Sequence, residues 1–231
     1  MSSPCAGCPV RDRAACSVLS EAERDALARS GRTRHLRRGE LLFAAGDEEA
    51  ACATLVRGAL KVAATDADGT ERILALVHPA GFVGELFAPF AHHDVVALTD
   101  SELCVFARRD MGHAVDLHPA LAQALLRRSQ EDLHRARDLL ALSGRSAAER
   151  LARLILAFAE AASDSPCHEA PHFDLPLSRG EMAGLLGVTI ETISRTLGRF
   201  EREGLIARKG ARGIDLLDPA RLRQVAQDRG R

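Results

Sequence analysis

Between residues 34 and 106 the apolar and alternating runs are short, and Gly or Asp interrupts them every few positions. Such runs suit many short antiparallel strands. They predict strands at Leu41–Phe43, Ala53–Val56, Ala59–Ala64, Arg72–Val77 and Leu103–Phe106, with Gly39, Gly46, Gly58, Asp68-Gly69 and Gly81 in the turns. Asp68-Gly69 is a strong hairpin signal, because a type I′ turn needs positive φ at both central residues. Hairpins repeated at this spacing suggest a small barrel or jelly roll.

The pattern then changes period. From Ala120 to Ala162 there is no Pro and a single Gly, and Pro119 suits a first helical turn. Leu121, Leu125, Asp132, Leu139 and Leu142 lie near one face of this helix, and Leu126, Leu133, Ala136 and Leu140 lie on an adjacent one. Two apolar faces need two packing partners, so the barrel and a second subunit are the expected pair. The dimer seam is assigned to Leu121, Leu125, Asp132 and Leu139. Gly144 and Ser146 break the helix before a second one at Ala147–Ala161, and 163–176, rich in Ser, Asp, Pro and His, reads as a loop.

Ser178-Arg179-Gly180-Glu181 has the form of a capping box, in which each end residue bonds the other's backbone N–H. The helix it opens should run to about Leu186, where Gly187 supplies a left-handed stop. Val188 plugs the turn and Thr189 caps the next helix, Ile190 to Glu203. Ile193, Leu197 and Phe200 form its buried stripe, leaving Glu191, Ser194, Arg195 and Arg199 on the other side. This is a helix-turn-helix whose second helix can enter a major groove, Arg195 reaching guanine and Glu191 a cytosine amino group, with Ser194 short enough for either role. Leu205–Leu217, with Gly204, Gly210 and Gly213, adds a two-stranded wing.

The net charge of −1 carries no whole-chain signal for nucleic acid. Locally the balance differs, with seven Arg and Lys against four Glu between Leu175 and Gly213. No apolar run approaches a membrane span, so a cytoplasmic location with no membrane contact is expected. Without a secretion signal, the six cysteines read as thiols or metal ligands rather than a disulfide framework. Cys5 and Cys8 form a C-x2-C pair, with Cys16 after seven intervening residues. Three cysteines leave either zinc or an iron-sulfur cluster one ligand short, and the residues alone do not choose between the two. Cys52, on a candidate strand, reads as a small buried hydrophobe, and Cys167 as a bystander thiol. No nucleophile elbow, phosphate loop or H-E-x-x-H motif occurs, so no enzyme is expected.

Thr189-Ile190-Glu191-Thr192-Ile193-Ser194-Arg195-Thr196-Leu197-Gly198-Arg199-Phe200 closely resembles the recognition helix of the fumarate and nitrate reduction regulators (FNR), a branch of the cyclic-AMP receptor protein superfamily. The likeness extends to Arg38-Gly39-Glu40, Ala45-Gly46-Asp47, Arg57-Gly58-Ala59-Leu60-Lys61, the Gly81–Leu86 loop and Ala148-Glu149-Arg150-Leu151-Ala152. It implies an α+β chain: an N-terminal β-roll of jelly-roll, cyclic-nucleotide-binding-like form, a long dimerisation helix and a C-terminal winged helix-turn-helix. The expected division is a cysteine-rich tail at 1–20, a roll at 21–118, the dimerisation helix at 119–143 and the DNA-binding domain at 144–231.

By the same resemblance, Ser178, Arg179, Thr189, Glu191, Ser194, Arg195 and Arg199 face double-stranded DNA, and a homodimer reads a palindromic FNR-like site. Cys104 stands where that branch places the fourth ligand of an oxygen-labile 4Fe-4S cluster, completing Cys5, Cys8 and Cys16. Oxygen would then free the tail and weaken helix pairing, with Asp132 adding like-charge repulsion across the seam. Gly84-Glu85-Leu86 resembles part of a cyclic-nucleotide pocket, but the phosphate-binding Arg-Ser pair is replaced by Asp94-Val95-Val96-Ala97, which disfavours an anion. A haem sensor using His35, His78, His92 or His93 is a further alternative, against which these read as polar surface positions. Phe82, Phe87 and Phe90, in the Gly81–Phe90 loop, would either touch RNA polymerase or fill the core beneath the roll.

Overall fold

The computed structural model describes residues 5–48, 51–141, 144–163, 169–210 and 212–227, with backbone only over 138–141. The chain forms two compact units, Met1–Ala136 and Arg137–Arg231, whose boundary falls inside one long helix.

The first unit is a roll of two four-stranded sheets. One is ordered β1 (Gly31–Leu36), β8 (Ser101–Phe106), β3 (Cys52–Arg57), β6 (Phe82–Val83), and the other β2 (Leu41–Phe43), β7 (Asp94–Ala97), β4 (Leu60–Thr65), β5 (Glu71–Val77). Every pairing is antiparallel. Leu36, Leu55, Leu60, Val95, Leu103 and Val105 fill the space between the sheets. The predicted strands recur with ends moved by one or two residues. β1, β6 and β7 were not predicted: β1 is mostly polar, β6 is only two residues long, and β7 opens on Asp94 after a pair of histidines.

The β4–β5 hairpin corrects the expected type I′ turn. Asp68 keeps negative φ while Gly69 takes +82°. The Asp68 carboxylate accepts from the Thr70 backbone N–H at 3.0 Å, and a wider loop closes where Asp66 N–H donates to the Thr70 carbonyl at 2.9 Å. A side-chain acceptor two residues back stabilises this loop without forcing Asp68 into the left-handed region.

Three helices flank the roll. α1 (Glu21–Ser30) starts from a capping box between Ser20 and Glu23, α2 (Arg108–Leu117) follows β8, and α3 (Pro119–Ala141) begins one residue after α2's cap. Neither α1 nor α2 was predicted. The N-terminal segment is folded onto the roll rather than forming a tail. Val10, Ala14, Ala15 and Leu19 are buried, and consecutive turns are closed by bonds such as Ala14 N–H to the Val10 carbonyl at 2.9 Å.

In the second unit, α4 (Ala147–Ala161) opens with a Ser146–Glu149 capping box and buries Leu151, Ile155, Phe158 and Ala159. α5 (Arg179–Leu186), α6 (Ile190–Arg202) and α7 (Pro219–Gln227) surround it. The wing has three strands rather than two. β9 (His172–Asp174), inside the predicted loop, pairs with β11 (Gly213–Leu216), which pairs with β10 (Ile206–Lys209). Phe173, buried between the polar His172 and Asp174, is the only anchor so short a strand offers.

Gly58 ties β3 to β4 at φ +94°, where a Cβ would lie 2.3 Å from Ser101 Oγ and 2.7 Å from the Asp100 carbonyl oxygen. Gly58→Ala should therefore cost about 1–3 kcal/mol of stability, seen as a lower midpoint in urea unfolding.

Candidate functional site

Side chains on a strand alternate between faces. On β8, Ser101, Leu103 and Val105 are buried toward the roll's interior, so Cys104 points out of the other face. Its lateral neighbours are Thr33 on β1 and Thr54 on β3. The N-terminal segment covers this outer face. Cys5, Cys8, Cys16 and Cys104 all line one cavity, with Val10, Ala14, Val56, Phe82, Phe106, Met111, Leu121 and Leu125 among its apolar walls and Arg24 and Leu27 of α1 at its side. Cys104 and the three N-terminal cysteines thus border the same space.

The local chain explains how three thiols reach one place. Cys8 N–H donates to the Cys5 carbonyl at 3.3 Å and Arg11 N–H to the Cys8 carbonyl at 3.1 Å, folding the C-x2-C pair back on itself. A 3-10 turn at Ala15–Val18 then carries Cys16. α3 holds the segment from outside, Arg128 donating to the Arg13 carbonyl.

Burial pushes the Cys104 thiol up to about 12, with the neighbouring Cys5, Cys16 and Cys8 adding to the shift. Cys16 is raised by burial first and then by Cys5 and Cys8, while Arg24 lowers it. Like charges gathered against an apolar wall oppose one another, which favours the thiol form of Cys104 and Cys16 until a cation joins them. Four thiol donors on an apolar wall are the donor set of an iron-sulfur cluster or a zinc ion held by cysteines alone. The residues therefore fit such a centre, although no three His, Cys, Asp or Glu side chains among the described residues are already drawn together as a metal group. Cys52 lies outside this lining, fully buried, with its thiol raised by burial to about 11. Cys167 falls outside the described residues.

The helix-turn-helix is built by caps. Ser178 Oγ accepts from Glu181 N–H at 3.1 Å, and Glu181 Oε2 accepts from Ser178 N–H at 2.8 Å. Gly187 at φ +62° ends α5, Val188 N–H returns to the Ala183 carbonyl at 3.0 Å, and Thr189 Oγ1 accepts from Thr192 N–H at 3.2 Å to start α6. Ile193, Thr196, Leu197 and Phe200 are buried, which leaves Glu191, Arg195 and Arg199 outside the core and Ser194 half-buried. Arg179 reaches Ser194 Oγ at 3.3 Å, joining the two helices on their polar side. Arg199 pairs with Glu203 at 3.6 Å and lies over Phe200. Arg208 on β10 bonds Glu201, a link to the wing that the sequence reading missed.

α3 divides its faces differently from the expected seam. Leu121 is 1% exposed and, with Leu125, packs against its own roll beside the cysteine cavity. Leu126 and Leu133 are instead 61% and 49% exposed. Asp132 is exposed and accepts from Arg135 at 3.0 Å, with its carboxyl raised by partial burial. Leu139 lies where only backbone is described, and Leu142 outside the described residues.

In the 81–90 loop Phe87 is 90% exposed, while Phe82 turns into the cavity wall. Arg108 fastens this loop through the Ala88 carbonyl. Glu85 is held by His92, whose backbone N–H donates to it at 3.1 Å and whose ring Nδ1 contacts it. Asp94 accepts from Ala45 N–H at 2.8 Å, and burial with nearby Arg135 pushes His78 down to about 4.

A two-sheet roll followed by a long helix and a winged helix-turn-helix defines a class of DNA-binding transcription regulators, not enzymes. Residues 149–225 match the Crp-like helix-turn-helix domain and residues 33–118 the cyclic nucleotide-binding domain. The transcriptional activator protein FnrL of Cereibacter sphaeroides is 35% identical, covering 97% of this chain and 92% of its own. The nitrogen fixation regulation protein FixK of Bradyrhizobium diazoefficiens is 32% identical over 96% and 93%, and the fumarate and nitrate reduction regulatory protein of Escherichia coli 30% over 89% and 84%. The solved structure of FixK2 from Bradyrhizobium japonicum superposes with a TM-score of 0.75 at 27% identity, covering 87% of this chain and 99% of that one. The chain belongs to the CRP/FNR family of transcription regulators. Among the described residues no helix is long and apolar enough to cross a membrane.

In the metal-free chain at pH 8, Cys104 should carry a thiolate fraction about a thousandfold below that of an ordinary thiol. Its alkylation by iodoacetamide, followed by peptide mass spectrometry, should lag far behind that of a small reference thiol and accelerate only on unfolding.

Proposed function

We propose that this regulator responds to oxygen through a 4Fe-4S cluster held by Cys5, Cys8, Cys16 and Cys104, and binds a palindromic FNR-like site as a homodimer while that centre is intact. The supporting observation is the meeting of these four thiols in one apolar cavity. When bound, such a cluster supplies a cationic core that needs four thiolates and is degraded by oxygen. The chain's own part is to bring the thiols together, exclude water with Val10, Phe106 and Met111, and hold the N-terminal segment against Leu121, Leu125 and Arg128 of α3. Glu85, engaged by His92, and Asp94, in place of a basic residue, support an input other than a cyclic nucleotide.

DNA contact falls to the exposed tip of α6. Arg195 and Glu191 read base edges, Ser194 is positioned by Arg179, and Ser178 and Thr189 cap the two helices at their phosphate-facing ends. For the dimer, Leu126 and Leu133 on α3 are the free apolar positions, spaced by a heptad. Loss of the centre would loosen the N-terminal segment from α3, weaken pairing and uncouple the two half-site contacts. Phe87, on the loop fastened by Arg108, is the surface offered to RNA polymerase.

Chain purified without oxygen should be coloured, with iron and acid-labile sulfide. Colour and sulfide should vanish in Cys104→Ser, and a colourless zinc-loaded chain would sink the oxygen-sensing reading. Arg195→Ala should weaken binding to the palindrome by about 1–3 kcal/mol and relax discrimination at one base pair per half-site, measured by fluorescence anisotropy against mutated sites. Leu126→Glu with Leu133→Glu should yield a monomer by sedimentation while leaving each unit folded.

A further inference from the structure

Arg24 is the only charged residue among the described residues lining the four-cysteine cavity. The Ser20–Glu23 capping box fixes the first turn of α1 and puts Arg24, Leu27 and Ala28 on the helix face turned to the cavity. Leu27 is buried there, which anchors the helix at that face. Glu23, the adjacent acid, is occupied by Ser20 and by His118 at 3.2 Å. Among the described residues Arg24 donates no side-chain hydrogen bond and joins no ion pair. A half-buried guanidinium without a carboxylate partner, facing an otherwise apolar wall, is an unusual placement for an arginine.

Four thiolates outweigh the charge of a doubly positive metal centre, so the filled cavity is anionic in apolar surroundings. The cost of burying net charge there is large unless a counter-charge is near.

We propose that Arg24 is the counter-charge of the cysteine cavity, a positioning residue that steadies a cation held there by the four cysteines without being a metal ligand. This inference rests on the metal-centre reading above. It concerns how tightly the cavity holds a cation, whichever cation that is. It also gives α1, a helix with no part in DNA contact, a role in setting the sensor's sensitivity.

The test uses the full-length chain, reduced and metal-free, with Co2+ alone as the probe, because thiolate-to-cobalt absorption counts the sulfur ligands. Arg24→Gln should bind Co2+ about tenfold more weakly, the effect of removing one charge at partly screened range. Arg24→Lys should stay within about threefold of the unsubstituted chain, since charge and not shape is being read. In anaerobically iron-loaded chain, Arg24→Gln should also lose its visible absorption in air several times faster. Thermal unfolding of the metal-free variants checks that the fold is unaltered. Equal Co2+ affinity in Arg24→Gln and the unsubstituted chain overturns the inference, as does an equal loss in Arg24→Lys, which would assign Arg24 a packing role. An unsubstituted chain that binds Co2+ through four sulfurs but forms no iron chromophore sinks the 4Fe-4S reading and leaves the role of Arg24 to be decided by the cobalt affinities.

Discussion

The first unit is organised around the cost of keeping four thiols in one apolar cavity. Each is a modest hydrophobe while protonated, and the surrounding Val10, Ala14, Phe106 and Leu121 pack against them as they would against any core side chain. Deprotonated together, they repel one another in a medium that screens poorly. Burial of Cys104 and Cys16 raises both thiols, and their neighbours raise them further. The same arrangement is therefore closed and stable as thiols, and strongly cation-seeking as thiolates.

That constraint reaches α3 through direct contacts. Leu121 and Leu125 form part of the cavity wall, and Arg128, a turn further on, bonds the backbone between Cys8 and Cys16. The outer positions Leu126 and Leu133 sit on the same rigid helix. The N-terminal segment therefore packs on one face of a helix whose other face is exposed at these two leucines.

In the second unit local backbone chemistry acts together with a core that includes Leu151, Ile155, Ile193, Phe200, Leu205 and Leu222. Three helix starts, at Ser146, Ser178 and Thr189, are capped by their own side chains, and Gly187 alone supplies the left-handed turn between α5 and α6. With the backbone fixed this way, the stripe Ile193, Leu197, Phe200 decides which side of α6 is buried, and so which residues are left to meet DNA. Arg179 to Ser194 and Arg208 to Glu201 then join α6 to its neighbours. Among the candidate DNA-facing residues on α6, Ser194 is engaged by Arg179 and Arg199 by Glu203, whereas Arg195 extends from the exposed side.

Caps, turns and periodic stripes act within a few residues, and this is why the helix-turn-helix, the break at Ser146 and five of the roll's strands were legible in the sequence. The Cys104 pairing was legible only through family resemblance, since nothing local links position 104 to position 5. Elements defined by partners rather than composition escaped: β9 exists because β11 offers it an edge, and α2, which has no side-chain cap, because the roll gives it an apolar bed, whereas α1 opens on a Ser20–Glu23 capping box that is itself a local signal. Which α3 leucines face inward could not be read from spacing, as both faces are leucine-rich and only the docking of the roll separates Leu121 from Leu126. The sequence by itself determined short-range order and the stock of thiols. Tertiary structure decided that four of those thiols share one apolar cavity with a single arginine, because burial and charge at a site belong to everything packed around it.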